Sequence, residues 1–230
     1  MNNGKKKHTA IILAAGKGKR MGTTTPKQYL LLEGKPLLYY SLKIFEDYEG
    51  IDQVILVVGK GEIDFCKTNI IDQFSFQKIT QVIEGGNERW ESVYQALQNI
   101  QATDIVWIHD AARPFLDREL LKRCQAESEW CRAFTTAVPV KDTIKQVKEN
   151  KEVIQTLERK FLWQVQTPQV FDFDLLYFAY QKFLEEKDEV KSQVTDDAML
   201  IEQWTDQNVK IIMGDYRNIK ITTKEDLGLA

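Results

Sequence analysis

The sequence predicts an α/β fold: a mostly parallel sheet with helices on both faces. Three observations carry the prediction. Short apolar runs alternate with segments of helical periodicity through the first two thirds of the chain. Runs such as Val54-Ile-Leu-Val-Val58 are apolar at every position, as in strands covered on both faces. The glycine-rich, cationic and acidic segments follow the carboxyl ends of these runs, where parallel sheets collect their ligands.

Taken in order, Thr9–Leu13 is the first strand, and Pro36–Tyr48 is the first helix, opened by its proline. Val54–Val58 (strand), Glu62–Phe74 (helix), Ile79–Ile83 (strand) and Arg89–Ile100 (helix) continue the alternation. Ile105–Ile108 (strand), Asp117–Glu129 (helix, with Asp117 as N-cap) and Phe134–Val138 (strand) complete it as right-handed βαβ units. Residues 139–163 break the rhythm. From Lys141 to Leu157 the chain reads as two alternating strands around a Glu149-Asn150-Lys151 turn. An isolated hairpin is only marginally stable in water, so it is expected to pack on a second subunit or back on its own domain. Helices near Asp174–Glu185 and Asp196–Trp204 and a strand at Val209–Met213 follow. With no repeat, low-complexity tract or linker, residues 1–230 read as a single domain with a β-arm at 139–163.

Composition narrows the function class. Hydrophobic residues make up 43% and charged residues 28% of the 230, as in an ordinary globular protein. A net charge of −3 gives no reason for nonspecific binding to nucleic acid or membrane. Cys66, Cys124 and Cys131 have no paired spacing and read as reduced thiols. No apolar run approaches the ~20 residues that span a bilayer. The first seven residues lack a signal peptide's apolar region and read as a frayed tail, with His8 counted in it. The expected location is the cytoplasm.

The most informative stretch is Ala14-Ala15-Gly16-Lys17-Gly18-Lys19-Arg20-Met21-Gly22, with Lys27 five residues later. It cannot be placed on the dinucleotide pattern, since Met21 stands where the third glycine belongs, nor on the P-loop. Small residues beside several cations suit a polyphosphate, met by backbone amides and side-chain charge together. A structural turn would explain the glycines but not the cations. After the fourth strand, His109-Asp110-Ala111-Ala112-Arg113-Pro114 puts a carboxylate where it can hold Mg²⁺ together with phosphate oxygens; a capping or turn aspartate is the alternative. Gly85-Gly86-Asn87-Glu88-Arg89-Trp90-Glu91-Ser92-Val93 can bring backbone and the Ser92 hydroxyl to a base edge, although glycine pairs also serve simple turns. With only two histidines, His8 and His109, a histidine-based mechanism has little room.

Eight collinear segments are Ala14-Ala-Gly-x-Gly-x-Arg-Met21, Pro26-Lys-Gln28, Gly85-Gly-x-x-Arg-x-x-Ser-Val93, His109-Asp-Ala-Ala-Arg-Pro114, Pro139-Val-x-Asp-Thr-Ile-Lys145, Thr167-Pro-Gln169, Thr195-Asp-Asp-Ala198 and Asn218-Ile-Lys-Ile-Thr222. Together, from about residue 9 to the C-terminus, they resemble the 2-C-methyl-D-erythritol 4-phosphate cytidylyltransferases. The resemblance implies a Rossmann-like fold with a β-arm that embraces a second subunit, hence a homodimer. It implies transfer of CMP from CTP to methylerythritol phosphate, with release of pyrophosphate, in non-mevalonate isoprenoid synthesis.

By the same resemblance, Arg20, Lys27 and Lys220 are the catalytic cations at the triphosphate, and the backbone of Ala14, Ala15, Gly16 and Gly18 cradles it. Gly86, Asn87 and Ser92 hold the cytosine, and Asp110 meets the ribose and a divalent cation such as Mg²⁺. Arg113, Thr143, Thr167 and Thr195 bind methylerythritol phosphate, with Arg159 reaching the site from the partner's arm. Two departures fall in the base loop: Asn87, where many relatives carry an acid, and a bulky Trp90. The nucleophile is a phosphate monoester with a second pKa of ~6, largely dianionic at neutral pH, so the mechanism needs no general base. Catalysis then rests on in-line positioning and charge neutralisation. A ribitol-5-phosphate cytidylyltransferase is the nearest alternative, and Asp-Ala-Ala-Arg-Pro and Asp-Thr-Ile-Lys favour methylerythritol phosphate over it. A non-catalytic nucleotide-binding relative would lack Arg20, Lys27 or Asp110, and all three are present. A fused downstream cyclase is not expected in a chain that stops at Ala230.

Overall fold

A computed structural model describes residues 5–16, 18 and 25–228. In chain order its elements are β1 (His8–Leu13), β2 (Leu31–Leu32), β3 (Lys35–Pro36), α1 (Leu37–Glu46), β4 (Gln53–Val58) and α2 (Ile63–Cys66), prolonged by a π-helical segment at Lys67–Asp72. Then come β5 (Ile79–Glu84), α3 (Arg89–Asn99), β6 (Ile105–Asp110), α4 (Arg118–Ser128), β7 (Ala133–Pro139), β8 (Lys145–Val147), β9 (Val153–Thr156) and β10 (Trp163–Asp172). The chain closes with α5 (Phe173–Leu184), α6 (Asp188–Lys191), α7 (Asp197–Trp204), β11 (Lys210–Met213) and α8 (Lys224–Gly228).

Seven strands form one sheet in the order β11-β7-β10-β6-β1-β4-β5. All pair in parallel except β10, which runs antiparallel between β6 and β7. Successive residues of the central strands feed opposite faces, as a pleated strand requires. Ala10, Ile12, Leu56 and Trp107 join α1 and α4 residues Leu38, Leu42, Phe45 and Leu121 in one core. Ile11, Ile55, Val57, Val106 and Ile108 pack with α3, α5 and α7 through Val93, Tyr180, Phe183 and Ile201 in the other. The chain moves outward from β1 to β4 and β5, then returns to β6 on the other side of β1. That reversal opens a crevice beyond the carboxyl ends of β1 and β6, the usual ligand position in such sheets.

Several expectations need correction. β10, the longest of these strands, is absent from the sequence reading. Its Trp-Gln-Val-Gln-Thr-Pro-Gln start carries few apolar residues, and proline ordinarily argues against a central strand. Here Pro168 follows a cis peptide bond and lies within the Val165–Gln169 register shift, where no ladder hydrogen bond is asked of it. The hairpin's strands are shorter than expected, β8 and β9 pairing only over Lys145–Val147 and Val153–Thr156, with Lys151 at φ 66° in the turn. Pro36 caps α1 rather than starting it. His8 is not tail: it opens β1, is buried, and accepts a 2.9 Å hydrogen bond from the Trp107 indole.

The arm's two ends meet on the sheet. Pro139 ends β7 directly opposite Trp163 at the start of β10, and the Val140 amide donates to Leu162 O at 3.0 Å. Residues 140–162 are therefore a closed excursion from one rung of the ladder.

Candidate active site

Nine of the residues singled out from sequence converge on one cavity at the β1/β6 crevice. Ala14, Ala15, Gly16, Lys27, Gly86, Asn87, Ser92, Asp110 and Lys220 all line it, alongside Gln28 and Arg89. Three strand ends bring seven of them there, namely the exit of β1, the turn from β5 into α3 and the exit of β6, while Lys27 comes from the turn before β2 and Lys220 from the segment between β11 and α8. Arg20, with Lys17, Lys19, Met21 and Gly22, lies outside the described residues.

The β1 exit offers hydrogen-bond donors. The Ala14 amide is spent on Val57 O at 2.7 Å, whereas the amides of Ala15 and Gly16 take no partner among the described residues. Gly18 has φ +57°, and a Cβ there would sit 3.2 Å from Lys27 Cγ. A side chain at position 18 would be strained by the backbone and would crowd the lysine. Lys27 itself follows Pro26 in a short 3₁₀ turn, and its ammonium donates to Ile221 O at 3.3 Å. The last segment of the chain is thereby tied to the first loop.

The floor is ionic. Asp110 Oδ2 is 2.7 Å from Lys220 Nζ, and Oδ1 is 3.6 Å from Arg89 Nε. Burial alone would raise the Asp110 pKa; Arg89, Lys220 and Arg113 together outweigh it and hold the carboxyl well below the usual range. Arg89 also reaches Asp197 Oδ2 at 2.6 Å, and the Tyr180 hydroxyl donates to Asp197 Oδ1 at 2.6 Å. Arg89 and Asp197 carry no role in the sequence reading. Both lie inside quoted motifs, but only the fold brings α3 against the start of α7.

Arg113 and Thr167 stand beside this floor without lining the cavity. Arg113 is buried, with Nη1 on Asn218 O at 2.8 Å and Nε without a partner among the described residues. The Thr167 hydroxyl is buried, accepting from the Asp110 amide at 3.1 Å. It lies 3.0 Å from His109 Nδ1, and His109 Nε2 lies 3.2 Å from Arg113 O. A carbonyl can only accept, so Nε2 carries the proton and Nδ1 accepts from Thr167. Burial lowers the His109 pKa to about 4, with Asp110 opposing and Arg113 assisting, so the ring is a neutral strut under Asp110. Thr143 and Arg159 lie at the exposed base of the arm, where the Arg159 guanidinium donates to Lys141 O. Thr195 is exposed just before Asp196, the N-cap of α7. Neither Thr143, Arg159 nor Thr195 lines the cavity. Trp90 turns away from the base loop and packs edge-on against Phe183, 5.2 Å between centroids.

Among the described residues no group of three or more His, Cys, Asp or Glu could hold a metal, and no helix is long and apolar enough to cross a membrane.

The family model described as 2-C-methyl-D-erythritol 4-phosphate cytidylyltransferase matches residues 8–230. Proteins of that name from Alkaliphilus oremlandii and Lachnospira eligens are 48% and 44% identical, each over 97% of this chain and over 93% and 97% of their own. The crystal structure of the 4-diphosphocytidyl-2C-methyl-D-erythritol synthase from Anaerococcus prevotii superposes with a TM-score of 0.85 at 33% identity, covering 98% of this chain and 94% of that one. The Francisella tularensis cytidylyltransferase structure gives 0.81 at 32% identity, covering 97% of both chains. Near-complete coverage in sequence and in fold leaves one assignment: the chain belongs to the 2-C-methyl-D-erythritol 4-phosphate cytidylyltransferase family.

Proposed function

We propose that the cleft transfers CMP from CTP to 2-C-methyl-D-erythritol 4-phosphate, giving 4-diphosphocytidyl-2-C-methyl-D-erythritol and pyrophosphate. The observation that carries this reading is the polarity of the cavity. The amides of Ala15 and Gly16, without a partner among the described residues, together with Lys27 and Lys220, make one side a receptor for polyphosphate. The reacting anions repel each other, so these cations lower the barrier by neutralising charge that builds at the α-phosphate. Arg20 is assigned with them by family resemblance. No residue needs to remove a proton from a phosphate dianion, which agrees with a buried, neutral His109 whose two ring nitrogens are engaged by Arg113 O and the Thr167 hydroxyl.

Asp110 is the carboxylate that would hold Mg²⁺. The donor set fits an ion that arrives with the nucleotide, one carboxylate being supplemented by phosphate oxygens and water, provided that Lys220 yields Oδ2. Mg²⁺ would supply neutralisation of phosphate charge. Arg113, Thr167 and Thr195, beside the Asp110 floor and at the start of α7, are assigned to the methylerythritol phosphate side. Thr143 and Arg159 are assigned there through a second copy of the chain.

The dimer rests on the arm's surface. Every residue of β8 and β9 is exposed, including the large apolar side chains of Val147, Val153 and Ile154, and so is Phe161 further along the arm. A two-stranded ribbon with this surface needs a partner to be stable. Three free cysteines fit a reducing cytoplasm.

Pyrophosphate release, followed with CTP and either methylerythritol phosphate or ribitol 5-phosphate, tests the reading. Turnover with the first is expected. Turnover only with ribitol phosphate, or with neither, refutes it.

A further inference from the structure

One wall of the cavity is the turn from β5 into α3, packed so close to the β1 exit that a Cβ on Gly85 would meet the Ala15 side chain, and its main-chain donors are already spent. The Gly85 amide donates to Val58 O at 2.8 Å and the Gly86 amide to Ser92 Oγ at 3.1 Å. The amides of Asn87 and Glu88 both donate to Glu91 Oε2, at 2.5 and 3.1 Å. The Ser92 hydroxyl spends its own proton on Glu88 O at 3.3 Å. The carbonyls of Gly86 and Asn87, two residues of the cavity wall, take no donor among the described residues. Glu91 lies folded under the turn, so closely that a Cβ on Gly86 would collide with its side chain. The glycine is what lets the carboxylate reach two successive amides.

We propose that Glu91 sets the base selectivity of the site. By binding the Asn87 and Glu88 amides it leaves the main chain of this wall presenting acceptors alone, which receive an exocyclic amino group and repel an exocyclic oxygen. The proposal rests on the cytidylyl-transfer reading and names the residue that enforces its base. Cytosine presents an N4 amino donor where uracil presents a carbonyl acceptor at position 4. An acceptor facing that oxygen leaves both unpaired and in repulsion. Glu91 does not line the cavity and touches no substrate; it acts through the loop, as a positioning residue.

The test is binding and kcat/KM with CTP and UTP for wild type, Glu91→Ala and Glu91→Gln. Glutamine keeps an oxygen that both amides can use, so its CTP:UTP ratio stays near wild type. Alanine frees both donors, and the ratio falls by about tenfold or more, partly through a gain with UTP. A loop that had only loosened would weaken both nucleotides together and leave the ratio unchanged, which would overturn the proposal. If Glu91→Ala does not fold, Glu91→Asp, whose carboxylate is one methylene short of the amides, must also lower the ratio; an unchanged ratio there overturns it equally. A wild-type protein that binds neither nucleotide fails the cytidylyl-transfer reading itself. One that prefers CTP regardless of residue 91 fails only this assignment.

Discussion

Lys220 and Asp110 form an ion pair of 2.7 Å on the floor of the cavity. The cation assigned to the α-phosphate is thus held, before any ligand arrives, by the carboxylate assigned to the ribose and the metal. Lys220→Ala is expected to lower kcat by roughly 2–4 kcal/mol in barrier terms, with a much smaller change in CTP affinity. Single-turnover kinetics separate the two, and a chemical step at the wild-type rate would remove Lys220 from the mechanism. Asp110 stays ionised far below neutrality. The acid limb of the wild-type pH–rate profile should therefore follow the substrate phosphate, whose second pKa is ~6.

Arg89 joins two buried carboxylates, Asp110 and Asp197, the latter with its side chain 1% exposed. Against the cost of burial, Asp197 and then Asp110 raise the guanidinium pKa. Arg89→Ala strands Asp197 with only the Tyr180 hydroxyl and the surrounding dipoles, at an expected cost of about 3–5 kcal/mol in stability. Adding Asp197→Asn should recover much of that loss. Urea unfolding of the two single variants and the double variant measures the coupling; strictly additive costs would mean that the pair contributes nothing of its own.

Burial holds His109 neutral, with a folded pKa of about 4 against an ordinary value of 6.5. The unfolded chain then takes up its proton first as pH falls. Stability contributed by this residue is complete above about pH 6.5 and is lost progressively down to about pH 4, by roughly 3 kcal/mol in total. His8, also lowered by burial, adds in the same direction. Urea midpoints at pH 7 and 4.5 for wild type and His109→Gln test this, and the variant should lose less. The same loss in both proteins would show that the ring is not the titrating group.

The sequence made the nucleotide side of the site legible because its residues are adjacent in the chain. Ala14 to Gly16, Gly86 to Ser92 and Asp110 each sit at the end of an apolar run whose parallel pairing follows from its composition. What it hid depends on distant contacts. Arg89 meets Asp197 across 108 residues, and Thr167 meets the Asp110 amide across 57. Both contacts rely on β10, a strand with glutamines and a proline where a periodicity argument expects branched apolar side chains. Gln169 shows why those polar residues belong there: fully buried, it holds Thr135 Oγ1, Asp196 Oδ2 and the Asp197 amide at 2.8–3.0 Å, fixing α7 to the sheet. A strand chosen for its hydrogen bonds to a neighbouring helix carries no hydrophobic signature.

Arg159 sits at the base of the arm, exposed, with its guanidinium on Lys141 O and outside the cavity of its own chain. If it serves the site of a second copy, Arg159→Ala alone should raise the apparent KM for methylerythritol phosphate by tenfold or more, in line with a lost charged hydrogen bond of about 1.5–3 kcal/mol, and leave the KM for CTP little changed. Lys220→Ala should be impaired in the chemical step at its own site. Mixed at a methylerythritol phosphate concentration well below the raised KM and allowed to exchange subunits, the two impaired variants form some heterodimers in which one site holds an intact Lys220 and receives an intact Arg159. Activity should then rise above the sum of the separate variants, towards a quarter of wild type at equal mixing if exchange is complete. No rise, with exchange confirmed by a fluorescent label on each variant, would place Arg159 outside the partner's site.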